Sequence, residues 1–185
     1  FLSSNLNFIL QCRLVCKDWN HIITHSQTLW NEFKITVSTL HHIPKIFLNK
    51  LTHLTCTNLT NQEMKYLKHC TQLIRFYLFK CNQLNEIGLD SISKLTTLQH
   101  LTFIRCYNIK QFEILSHLSL LTHLDLSECG QITDHILNPI SKLTSLQKLS
   151  LHECEQITDS VLKLLYKLLL SIWIYQGVVK LLMKD

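Results

Sequence analysis

Eight cysteines and eleven histidines in 185 residues are enough to build a metal site or a thiol centre, provided their spacing lets them converge. The spacing argues against it. Cys81, Cys106, Cys129 and Cys154 stand 23 to 25 residues apart, and no C-x-x-C pair occurs anywhere. Cys12 and Cys16 are four apart on a predicted helix. Zinc ligands usually come in close pairs on a turn. A structural role for the cysteines therefore ranks ahead of metal or disulfide chemistry, and buried free thiols fit a reducing compartment. His100 and His123 invite a metal or pH-switch reading, but no third ligand type recurs beside them. Solvent-facing histidines on a polar sheet are the plainer reading. No nucleophile elbow, phosphate loop or His-Glu metal motif is present. We expect no enzyme, no metal and no cofactor, with a cysteine-dependent hydrolase as the distant rival.

Composition narrows the partners. A chain that is 46% hydrophobic and 17% charged buries a sizeable core, and three glycines with two prolines exclude low-complexity segments. The net charge of +5 is uneven: residues 1–50 carry +3, residues 51–160 carry −1 and residues 161–185 carry +3. A nearly neutral body lacks the electrostatic footprint of nucleic-acid binding. No signal-peptide pattern opens the chain, and its start at Phe1 rather than Met reads as a fragment. The longest uncharged run near the C-terminus, Leu168–Val179, is 12 residues. That is well short of the roughly 20 a spanning helix needs, so no membrane is expected.

The cysteines are evenly spaced because everything around them is. Units begin at Leu51, Leu73, Leu98, Leu121 and Leu146, with steps of 22, 25, 23 and 25. Apolar residues fill positions one, four and six: Leu51/Leu54/Cys56, Leu73/Phe76/Leu78, Leu98/Leu101/Phe103, Leu121/Leu124/Leu126 and Leu146/Leu149/Leu151. Cysteine stands at position nine of the last four units, and Leu84, Ile109, Ile132 and Ile157 at position twelve. Alternation at four and six is strand spacing. Beyond position twelve a short helix is predicted in some units, with Asp134 and Asp159 suited to cap it. Pro139 keeps that helix short or distorted, and the shorter unit at Leu98 need not hold a true helix. One such unit cannot bury its apolar face alone, so the units must stack.

With "LTHLDLSECGQITDHIL" and "LQKLSLHECEQITDSVL" on the page, the chain resembles a leucine-rich-repeat solenoid of the cysteine-containing subtype, with its "C-x-x-I-T-D" turn. The resemblance implies an α/β fold with parallel strands on a concave face and short helices or turns on a convex one. It also implies that the ninth side chain points inward to fill the turn. The first unit omits three residues of that turn. Leu169, Ile172 and Ile174 match positions one, four and six of a possible sixth unit, with Gly177 in place of its cysteine. Atypical terminal units are expected of solenoid caps.

Ahead of the repeats, residues 1–35 read as a small all-α module. Its "RLVCKDWNHIITHSQTLW" resembles the C-terminal two-thirds of an F-box, through Leu14, Val15, Cys16, Trp19, Leu29 and Trp30. The domain expectation is then a partial F-box over 1–35, a linker or N-terminal cap over 36–50, five repeats over 51–168 and a divergent terminal repeat or cap over 169–185. The combined resemblance implies the substrate-recognition subunit of an SCF-type cullin–RING ubiquitin ligase, cytoplasmic or nuclear. Leu14, Val15, Cys16 and Trp19 would grip the Skp adaptor, which links to cullin, and the repeats would hold a protein substrate. The alternative is a leucine-rich-repeat interaction scaffold without that linkage. Side chains at positions three, five and seven of each strand face the concave surface, with position eight at its edge. Arg75, Tyr77, Phe79, Lys80, Ile104 and Arg105 form an aromatic patch with a basic rim there, suited to an acidic or phosphorylated peptide segment.

Overall fold

The computed structural model describes residues 34–37, 40, 43, 45–110, 112–159 and 163. Along them run β1 (Lys34–Val37), α1 (Lys45–Leu48), β2 (His53–Thr57), α2 (Asn61–Met64), β3 (Arg75–Phe79), α3 (Glu86–Leu89), β4 (His100–Ile104), β5 (His123–Asp125), α4 (Leu137–Ser141) and β6 (Lys148–Ser150). The six strands form one parallel sheet in chain order, β1 to β6. Register follows the repeat, since His53, Arg75, His100, His123 and Lys148 lie opposite one another in turn. The alternating pattern explains the sheet. Positions four and six turn inward and are buried from Leu54 and Cys56 through Leu124, Leu126 and Leu149, while Leu151 is only partly buried. β1 pairs with β2 from Lys34 opposite His53 to Val37 opposite Cys56. This strand crosses the sequence-based boundary between residues 35 and 36, where no strand was expected.

The return path from one strand to the next holds the short helices expected in some units and only a 3-10 turn in the unit at Leu98. It is built mostly of 3-10 turns, at Lys65–His69, Ile92–Lys94, Glu113–His117 and Asp134–Ile136, with α-helices of four or five residues. The sequence reason is an apolar residue at every third place leading into each strand. Examples are Leu67/Cys70/Leu73, Ile92/Leu95/Leu98, Leu115/Leu118/Leu121 and Ile140/Leu143/Leu146, all buried. Each third residue donates its N–H to the carbonyl three back, as in Cys70 to Leu67 (2.8 Å) and Leu98 to Leu95 (3.0 Å). In a 3-10 turn residues i and i+3 eclipse, so this spacing puts one apolar row on the core.

Asp134 is not the cap that the sequence suggested. It lies inside a 3-10 turn, and its carboxylate accepts from the N–H and the hydroxyl of Thr158 in the next unit, both at 2.9 Å. Asn61 accepts the N–H of Asn85 in the same way at 3.1 Å, and Glu86 that of Lys110 at 3.4 Å. The caps sit one residue earlier, where Thr60 Oγ1 accepts from the Glu63 N–H (3.4 Å) and Asn85 Oδ1 from the Ile87 N–H (3.1 Å).

Two devices close the turn after each strand. Position eight is left-handed in all five units: Asn58, Lys80, Arg105, Glu128 and Glu153 have φ between 51° and 58°. For residues other than glycine this conformation costs about 1–2 kcal/mol each. The N–H groups it aims sideways offset that cost by reaching the next unit, Asn58 to Phe79 O (3.1 Å), Lys80 to Ile104 O (2.9 Å) and Glu128 to His152 O (2.8 Å). Cysteine then turns inward at position nine and is buried in every copy. Its thiol reaches the sixth-position carbonyl of the preceding unit: Cys106 to Leu78 (3.7 Å), Cys129 to Phe103 (3.6 Å) and Cys154 to Leu126 (3.1 Å). A thiol is small enough for this slot and is a weak S–H donor, which a methyl group is not.

Candidate functional site

Because register is kept across the sheet, outward-facing residues fall into columns running from strand to strand, about 4.8 Å apart. Phe79 at the end of β3 lies opposite Ile104 at the end of β4, and Tyr77 opposite Thr102. The structure thus brings together the six residues picked from the sequence: Arg75, Tyr77 and Phe79 on β3, Ile104 on β4, and Lys80 and Arg105 in the left-handed turns that follow. They differ in availability. Lys80 and Arg105 are exposed, whereas Tyr77, Phe79 and Ile104 are half-buried against their neighbours and Thr102 is buried. Arg105 is already engaged, with Nε donating to Glu128 Oε2 at 2.5 Å. That bond and the Glu128 charge hold the guanidinium above its ordinary pKa. The Arg105–Glu128 pair joins the basic rim of this patch to the turn after β5.

The later strands are polar and locally satisfied. Asp125 Oδ1 accepts from the Ser127 N–H at 3.0 Å and from the Ser127 hydroxyl, which also meets the Ser150 hydroxyl at 2.9 Å. A carboxylate that takes an N–H two residues on makes an Asx turn, and β5 ends at Asp125.

The position-three histidines are closer than sequence alone could show. The rings of His100 and His123 stack with centroids 4.1 Å apart and planes 26° apart. Burial, then His123, Arg75 and His53, lower the His100 pKa to about 4. Burial, with Lys148 and Arg75, lowers that of His123. No group of three His, Cys, Asp or Glu side chains that could hold a metal ion occurs among the described residues.

Burial and mutual contact shift the buried thiols away from their ordinary range. Burial pushes the Cys70 thiol up to about 12, and burial with the neighbouring Cys81 raises Cys56 well above its usual range. Contact with the Cys129 and Cys81 thiols, together with burial, raises Cys106. Hydrogen bonding to Cys106 instead lowers the Cys81 and Cys129 thiols, so neighbours in the row are shifted in opposite directions. Leu14, Val15, Cys16 and Trp19 lie outside the described residues, as does the possible sixth unit from Leu169. No helix among the described residues is long and apolar enough to cross a membrane.

No protein-family model matches this chain, and no curated protein matches it. Among solved structures it is similar to a leucine-rich-repeat protein of Leptospira interrogans, at 17% identity and TM-score 0.44 over 78% of this chain and 35% of that one. It is also similar to the internalin InlF of Listeria monocytogenes, at 16% identity and TM-score 0.38 over 78% of this chain and 55% of that one. The chain therefore spans between about a third and just over half of the length of these structures.

Proposed function

We propose that the chain is a non-catalytic leucine-rich-repeat interaction protein that holds a protein partner on the outer face of its sheet. The observation that carries this reading is the contrast between the strands' two sides. Inward positions are uniform and buried, while outward ones form continuous columns whose chemistry changes from strand to strand. Stacked units of this kind make a solenoid whose open face is a wide docking surface. Arg75, Tyr77, Phe79, Lys80, Ile104 and Arg105 form its mixed aromatic and basic patch, and aromatic residues with arginine are the usual anchors of interfaces.

The finer reading is a substrate-recognition subunit of an SCF-type ubiquitin ligase, with Leu14, Val15, Cys16 and Trp19 contacting the Skp adaptor and through it cullin. It rests on the F-box resemblance of residues 13–30. The buried free thiols support a cytoplasmic or nuclear setting. Affinity purification tests both levels. Skp and cullin should co-purify and be lost in Val15→Asp and Trp19→Ala, whereas the substrate should be lost in Phe79→Ala. Retention of the substrate without Skp in the wild type would leave an interaction scaffold with no ubiquitin linkage.

A further inference from the structure

The position-three column gathers charge of one sign. From β3 to β6 it reads Arg75, His100, His123 and Lys148, each opposite the next. No carboxylate among the described residues makes an ion pair with these four. The groups facing the two imidazoles from neighbouring strands are His53 on β2, Arg75 and Tyr77 on β3, Thr102 on β4, and Lys148 on β6. The nearest acid on the same face is Asp125, whose Oδ1 is taken by Ser127. His123 keeps a ring nitrogen able to gain a proton. The Thr122 hydroxyl donates to Gln99 O at 3.0 Å, so its oxygen is left to accept from His123 Nδ1 at 2.9 Å. A hydroxyl has one hydrogen, and a neutral imidazole protonated at Nδ1 carries its lone pair at Nε2.

We propose that this column is a proton-linked docking site for an acidic peptide segment laid across β3–β6, with His100 and His123 gaining charge as the segment binds. The inference rests on the reading of the outer face as a partner surface and adds the partner's chemistry and its pH dependence. In the free protein burial and then the neighbouring charges, His123, Arg75 and His53 for His100 and Lys148 and Arg75 for His123, lower both pKa values and favour the neutral rings. An anionic segment supplies the missing counter-charge and shifts that balance. Each proton taken up on binding makes affinity rise by up to about tenfold per unit fall in pH, over the range between the bound and free pKa values. A short acidic segment fits better than a nucleic acid, since residues 51–160 carry a net −1 and offer only this narrow basic column, not the broad basic surface a polyphosphate needs.

The experiment uses the full chain and a dye-labelled hexaglutamate peptide, at constant ionic strength, at pH 7.5 and pH 5.5. Glutamate stays largely ionised at both, with an ordinary pKa of about 4.3. We expect tighter binding at the lower pH by severalfold or more. His100→Gln/His123→Gln, with folding checked by circular dichroism, should keep the affinity measured at pH 7.5 and lose the gain. Lys148→Gln should weaken binding at both pH values and keep the gain. Equal affinity at both pH values, a gain that survives in the double variant, or preference for a single-stranded oligonucleotide over hexaglutamate would each overturn the proposal. Absence of hexaglutamate binding overturns it too. If Phe79→Ala still strips the substrate in affinity purification, the reading of the face as a partner surface survives that failure.

Discussion

The two faces of these strands follow opposite rules although their residues alternate one by one. Inward, position four accepts only Leu or Phe and position nine only Cys after the first unit's Leu59, and nearly every copy is buried to within a few per cent. Outward, position seven runs through Thr57, Phe79, Ile104, Ser127 and His152, with no type repeated. The reason is geometric. An inward side chain must fit the unit before it and the unit after it, so the choice made in one copy constrains the next. An outward side chain meets neighbours on one plane and solvent on the other, so the same backbone tolerates any chemistry. Uniformity marks what holds the sheet together, and variation marks what it can recognise.

The most direct way to break this comparison is to truncate two adjacent residues of β4. Phe103 is fully buried, edge-on to Phe112 at 5.3 Å, and Phe103→Ala should cost about 3–5 kcal/mol in denaturant unfolding. Ile104 is half-buried on the other face, and Ile104→Ala should cost well under half as much. Thiol labelling gives a second readout. Cys81, Cys106 and Cys129 should be inert in the wild type and in Ile104→Ala, and become reactive in Phe103→Ala wherever unfolding is populated. Similar losses in the two variants would mean that the faces are not energetically distinct.

The inward face was legible in the sequence and the outward one only in outline. Leucines at positions one, four and six and cysteine at nine gave the strands, their register and the buried row, because a repeated constraint leaves a repeated signal. The 3-10 return was legible too, in triplets such as Leu115/Leu118/Leu121, but its period of three lies close enough to the helical 3.6 to be taken for it. The Arg105–Glu128 pair and the His100–His123 stack were not legible. Each joins residues in different units, and their meeting depends on side-chain rotamers that spacing does not encode. β1 was missed because "KITV" carries no leucine at position one and stands outside the period.

The comparison extends to the return segments, where one glycine is fixed by a contact between units. A Cβ on Gly88 would lie 2.2 Å from Asn61 Oδ1. Asn61 could not then keep its bonds to Asn85, 2.9 Å from Nδ2 to Oδ1 and 3.1 Å from the Asn85 N–H. Gly88→Ala should lose about 1–2 kcal/mol of bonding and regain up to about 1 kcal/mol of helix propensity, for a small net loss. In an Asn61→Ala background the same change should become neutral or stabilising. A net loss in both backgrounds would mean that Asn61 is not the obstacle.

The outward face predicts a pH effect of similar or smaller size. His100 is neutral in the folded protein down to about pH 4, whereas an unfolded histidine binds its proton near 6.5. The unfolded state therefore takes up protons first as pH falls. The stabilising contribution is complete above about pH 6.5 and is lost between there and 4. After discounting for partial exposure we expect about 1 kcal/mol, read as a falling denaturant midpoint that His100→Gln flattens. A midpoint equally pH-sensitive in the variant would assign the effect to other groups.

A partly buried residue that repeats tests the contrast between uniform and variable positions most closely. Asp134 belongs to the "ITD" phrase, yet it is not buried, so burial does not explain its recurrence. Its two oxygens take the N–H and hydroxyl of Thr158 in the next unit, each at 2.9 Å. If the phrase recurs for this inter-unit bond, Asp134→Ala should cost about 0.5–1.5 kcal/mol, and Thr158→Ala, which keeps the N–H, should cost less. Asp134→Asn is the discriminating change, since its carbonyl can still accept the N–H although its charge is gone. A bond between units predicts that Asn recovers most of the loss. A charge acting on the dipole of its own short turn predicts that Asn is no better than Ala. The double variant Asp134→Ala/Thr158→Ala then completes a cycle, in which a bond shows as coupling and a dipole effect as simple addition.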